Sequence, residues 1–136
     1  MKRGISTSVH TAAHLLLDAS RMKHILIADD DQGIARLVAR ALPGYRVTVA
    51  HNGLEALALG ATANCDLLIT DYLMPAITGD KLAMRLREAH PDMKTLLMTG
   101  HGAFVDVNGC AVDDHLAKPF QAGELRAKVA GLIGLA

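Results

Sequence analysis

Short apolar runs recur along the chain: His24-Ile25-Leu26-Ile27-Ala28, Leu67-Leu68-Ile69-Thr70, Leu96-Leu97-Met98-Thr99 and His115-Leu116-Ala117. Each gives way at once to polar residues, which is the signature of a strand ending in a loop. Val47-Thr48-Val49 adds a fifth strand. Between them the apolar period lengthens to that of a helix. Ile34, Leu37, Val38, Ala41 and Leu42 share one stripe that Pro43-Gly44 ends. Asn52-Gly53 opens a second helix through Leu54, Leu57 and Ala58, and a third is predicted from Gly79 to Ala89, stopped near Pro91. The last begins near Gln121 and places Leu125, Val129, Leu132 and Ile133 on one face. At roughly 14 residues it would span about 21 Å.

Strands that alternate with helices through short connections predict an α/β fold, a parallel sheet with helices on both faces. At 136 residues and 51% hydrophobic, the chain has material for one ordinary domain. With aromatics at 3%, its core must be built from Leu, Val, Ile, Ala and Met. Met74, Met84, Met93 and Met98 accordingly read as core or edge packing.

Residues 1–23 stand apart from this pattern. Lys2-Arg3 ahead of Leu15-Leu16-Leu17 faintly suggests a secretory signal, but His10, His14 and Asp18 interrupt the apolar stretch and no small-residue cleavage site follows. The segment is expected to be a flexible or weakly helical extension, with the domain proper at 24–136. His10 and His14 have a helical metal-ligand spacing but no third ligand nearby.

Charge excludes some partners. Fourteen basic residues balance 14 acidic ones without a local Lys/Arg cluster, so neither a nucleic-acid surface nor a basic membrane patch is expected. No apolar run approaches the roughly 18 residues of a spanning helix. Cys65 and Cys110 have neither metal spacing nor the makings of a disulfide framework, which points to a reduced, cytoplasmic setting.

The strand ends carry the chemistry. Asp29-Asp30-Asp31 follows the first strand, Asp71 ends the third, Thr99 ends the fourth, and Lys118-Pro119 follows the fifth. In an open parallel α/β sheet these positions fall on one edge, where ligands bind. Three carboxylates suit a hard divalent cation, while a hydroxyl and an ammonium can contact phosphoryl oxygens. Taken singly, the acids could be a solvated helix start, Thr99 a strand-end hydroxyl and Lys118 a surface charge. Their occurrence in register makes that reading untenable, although Asp31 itself reads as a helix cap.

The acid run, Asp71 with Met74-Pro75 and Gly79, Thr99-Gly100, and Lys118-Pro119-Phe120 resemble, in order, the receiver domain of two-component response regulators. The resemblance covers residues 24 to 135. It implies a flavodoxin-like, doubly wound five-stranded sheet and an aspartyl phosphate formed on Asp71. Mg²⁺ would be held by Asp30 and Asp71 directly, by Asp29 through water, and by the backbone carbonyl of Leu73. Thr99 and Lys118 would each hold a phosphoryl oxygen. His115 occupies the family's switch position, usually aromatic, and as an imidazole it could also titrate near neutral pH. Leu73 and His101 flank the approach to the phosphoryl group, and a cis bond is implied at Lys118-Pro119.

One interval departs from the family. Gly102 to Gly109 carries valines and a helix-breaking Asn-Gly where receivers have their fourth helix, so that helix is expected to be short or disordered. With no output domain following Ala136, the expectation is a stand-alone switch, monomeric or weakly dimeric. It would be phosphorylated by a sensor histidine kinase or a histidine phosphotransfer protein and would act through a downstream protein. Two rivals from other classes are a Mg²⁺-dependent phosphohydrolase with an aspartyl nucleophile and a binding module that needs no phosphate. Against the first stands the absence of a paired general acid and of a substrate-enclosing insertion. Against the second stands the intact acid cluster.

Overall fold

The computed structural model describes residues 22–100 and 111–136. In chain order the elements are β1 (His24–Ala28), α1 (Gln32–Arg40), β2 (Arg46–Ala50), α2 (Gly53–Thr62), β3 (Leu67–Asp71), α3 (Gly79–Ala89), β4 (Lys94–Thr99), β5 (Asp114–Ala117) and α4 (Ala122–Ile133). The strands form one parallel sheet in the order β2-β1-β3-β4-β5, the doubly wound, flavodoxin-like arrangement that the receiver resemblance implies.

Alternation along the strands sorts the core into two layers. Ile25, Ile27, Leu67, Ile69, Leu96 and Met98 face α1 and α4, where Val38, Leu125 and Val129 meet them. Leu26, Ala28 and Leu68 face the other way, against Ala56 of α2 and Leu82 and Leu86 of α3. Each fully buried Leu or Ile contributes about 1.5–3 kcal/mol relative to exposure, so the three central strands supply most of the driving force. The helices start on local caps. The Asp31 carboxylate accepts from Ile34 N at 3.1 Å, Asn52 accepts from Glu55 N at 2.7 Å, and Gln121 and Glu124 form a capping box.

Most boundaries agree with the sequence pattern to within a residue or two; β2 gains a residue at each end, β4 starts at Lys94, ahead of the Leu96–Thr99 run, and α4 starts at Ala122. Three side chains depart from it, and Leu54 of α2 is the most open, at 61% exposed. Leu37, placed on the α1 stripe, is 58% exposed, and Met84, read as packing, is 59% exposed. The predicted weak fourth helix at Gly102 to Gly109, His101, Cys110 and nearly all of the 1–23 extension lie outside the described residues.

Register sets the position of the site. Ala28 pairs with both Ala50 and Thr70, Asp71 with Met98, and Thr99 with Ala117. The carboxyl ends of the strands are therefore level, and the residues just beyond each strand arrive at one edge.

Candidate phosphoryl and metal site

Asp29 leaves β1 fully buried, with its amide and both carboxylate oxygens hydrogen-bonded. Its amide donates to Ala50 O at 3.2 Å, Oδ1 accepts from Asp31 N at 2.9 Å, and Oδ2 accepts from Lys118 Nζ at 3.1 Å. Asp31 thus caps α1 with its side chain and orients Asp29 with its amide. Asp30 is exposed at the rim, and Asp71, half-buried, closes the cluster from the end of β3. Ligand oxygens of Asp29, Asp30 and Asp71 lie within 4.8 Å of one another.

Lys118 bridges two of these acids, with Nζ 3.1 Å from Asp29 Oδ2 and 3.3 Å from Asp71 Oδ1. Its amide donates to Thr99 O at 2.7 Å, which ties the end of β5 to the end of β4 and brings buried Thr99 to the same edge. The Lys118–Pro119 bond is cis, as the resemblance implies.

The electrostatics of the pair look contradictory. Burial disfavours the Lys118 ammonium, yet bonds and attraction from Asp29 and Asp71 outweigh it and hold its pKa above the ordinary lysine value. Asp71 is also pushed up, as if it lacked a partner. Desolvation is the main cause, and repulsion from Asp29 and Asp30 adds to it, so the pull of Lys118 does not compensate. One ammonium shared among three carboxylates leaves the site short of positive charge. An all-oxygen donor set with that deficit fits a hard divalent cation, which Asp29, Asp30 and Asp71 could hold.

The strand-to-helix turn after Asp71 is equally constrained. Gly79 N donates to Tyr72 O at 2.9 Å, and a Cβ on Gly79 would sit 2.2 Å from Asp71 O. Only glycine permits this approach, which presses the amino end of α3 against the site. Ala76 takes a left-handed conformation in the same turn, at φ 73°. Spacing placed Gly79 in the motif but gave no hint of this contact, because backbone approach leaves no mark in a sequence beyond the glycine itself.

The remaining candidates are more open to solvent. Leu73 is 66% exposed beside the cluster. His115 is exposed on β5, and its amide donates to Asp114 Oδ1 at 2.8 Å.

The geometry agrees with comparisons to known proteins. The model of the response regulator receiver domain matches residues 25–130. The chain belongs to the response regulator receiver domain family. It is 35% identical over 114 residues to the response regulator MprA of Mycobacterium ulcerans, covering 80% of this chain and 49% of that protein. It is 34% identical over 111 residues to the uncharacterized transcriptional regulatory protein YkoG of Bacillus subtilis, covering 78% of this chain and 49% of that one. The chain thus spans about half the length of the curated relatives it matches. Among solved structures, the CheY-like response regulator receiver domain protein from Methanospirillum hungatei superposes with a TM-score of 0.75 at 28% identity, covering 81% of this chain and 92% of that one. Receiver domains are the switch modules of two-component response regulators, and residues 25–130 of this chain match that module.

Proposed function

We propose that Asp71 is the phosphoacceptor of this receiver, within a domain spanning residues 24–136, and that its donor is a sensor histidine kinase or a histidine phosphotransfer protein. The sharing of one ammonium, Lys118, between Asp29 and Asp71 carries the reading. It leaves a nucleophilic carboxylate beside a cation-binding pair, at the sheet edge where a phosphoryl donor can reach it.

An Asp71 oxygen attacks phosphorus in line. The new bond is P–O and the broken one is P–N. The donor imidazole leaves with the bonding pair, and protonation leaves it neutral. Asp30 and Asp71, Asp29 through water, and the Leu73 carbonyl would hold Mg²⁺, which when bound would neutralise charge on the phosphoryl oxygens. Lys118 turns from Asp71 to a phosphoryl oxygen, and the Thr99 hydroxyl donates to another. His115 and Thr99 form the switch pair that reports the modification, and a downstream protein reads the changed surface. A cytoplasmic setting is part of this reading; among the described residues, no helix is long and apolar enough to cross a membrane.

Incubation with Mg²⁺ and acetyl phosphate tests the proposal, with intact mass and released phosphate followed together. A phosphoryl adduct that outlives the donor is expected. Continuous phosphate release without an adduct would mean a hydrolase, and neither adduct nor release would mean a phosphate-independent binding module.

A further inference from the structure

The groove between α2 and α3 lies on the opposite face of the sheet from α1 and α4 and has a volume of about 410 Å³. Leu54, Leu57, Ile77 and Met84 line it. Leu54 and Met84 are left 61% and 59% exposed, an open apolar patch on an otherwise well-covered layer. Arg85 and Glu88 border the α3 side, three residues apart, immediately below Met84.

The described chain begins at the lower end of this groove. Met22 lines a cavity at the amino ends of the strands together with Ala89 and His90, which follow Glu88 directly. Met22, the first described residue, is therefore beside the end of α3. Read upward from that point, α3 presents Glu88, Arg85 and Met84, and the chain preceding Met22 presents Arg21, Asp18 and Leu17. Both series have the same spacing, three then one. The charges are inverted, and apolar residues coincide. Leu17 is five residues from Met22, enough for the roughly 7.5 Å of α3 between Ala89 and Met84 even at helical rise.

We propose that residues 14–21 of this chain occupy the α2–α3 groove, with Leu17 against Met84, Asp18 paired with Arg85, and Arg21 paired with Glu88. Apolar burial on Leu54 and Met84 supplies the attraction, and the two ion pairs select the register. The tether makes the contact intramolecular, with a high effective concentration.

Disulfide trapping in the full chain tests it. Leu17→Cys is combined with Met84→Cys in a background of Cys65→Ala and Cys110→Ser; in a control, Leu17→Cys is combined with Leu37→Cys on the opposite face. In a thiol–disulfide buffer the 17–84 link should form within one chain, at least about tenfold faster than the 17–37 link. Arg85→Glu should slow it by about threefold, the effect of an exposed ion pair, and adding Asp18→Arg should restore the rate. Equal rates at the two positions, a link that joins only separate chains, no link at all, or failure of Asp18→Arg to rescue would overturn the proposal.

Discussion

Asp71 is held by opposing fields: Lys118 draws it towards ionisation, while burial and two neighbouring acids draw it away. The second set wins, so its folded-state pKa lies above the ordinary carboxylate value. The folded protein then binds this proton more tightly than the unfolded chain does. The stability associated with it is fully present below the unfolded pKa and is lost as pH rises through the folded one. Ionised Asp71 is therefore a burden at neutral pH, and Asp71→Asn should melt higher than wild type there without metal. The gap should close on acidification, in a pH series of melting curves. Lys118 has the complementary profile; its raised pKa stabilises the fold below the ordinary lysine value and is lost as pH climbs through the raised one. A cation that relieves the repulsion among Asp29, Asp30 and Asp71 should stabilise the folded state by mass action. Added Mg²⁺ should raise the melting temperature of wild type, and Asp30→Ala should lose most of that gain. An unchanged Mg²⁺ response in Asp30→Ala would remove Asp30 from the ligand set.

The strand ends and helix starts work as a unit, most tightly where Gly79 meets Asp71. Gly79→Ala forces a Cβ into the Asp71 carbonyl and should cost about 1–3 kcal/mol, the range for overpacking a close-fitted contact. Denaturant unfolding measures the loss, and the acceptor's phosphorylation should slow with it because Asp71 is displaced. This contact also marks the limit of what the sequence discloses. The strands are legible because double-sided burial leaves unbroken apolar runs such as Ile25 to Ala28, and the site is legible because parallel strands deliver the residues beyond them to one edge. Leu37 and Met84 escape the pattern because a helical stripe has flanks, and spacing does not distinguish a flanking apolar residue from one under the sheet. His115 is exposed because β5 is an edge strand whose alternate positions need not be covered. The orienting bond from the Asp31 amide to Asp29 involves main chain alone on one side, and no residue choice announces it.

Across the whole molecule, the sheet separates the proposed phosphoryl site at the carboxyl ends of the strands from the amino ends, where the described chain begins beside the foot of α3. None of the proposed ligands lies before His24. A chain starting at Met22 should therefore accept phosphate from acetyl phosphate at the full-length rate, measured by the growth of the phosphorylated mass with time. The most direct test of the central claim is intact mass after exposure to Mg²⁺ and acetyl phosphate, for wild type and Asp71→Asn side by side, both shown to be folded by circular dichroism. The expected result is the added mass of one phosphoryl group on wild type, removable by hydroxylamine, and none on the variant; the same hydroxylamine-labile adduct on Asp71→Asn would contradict the assignment of Asp71 as the acceptor.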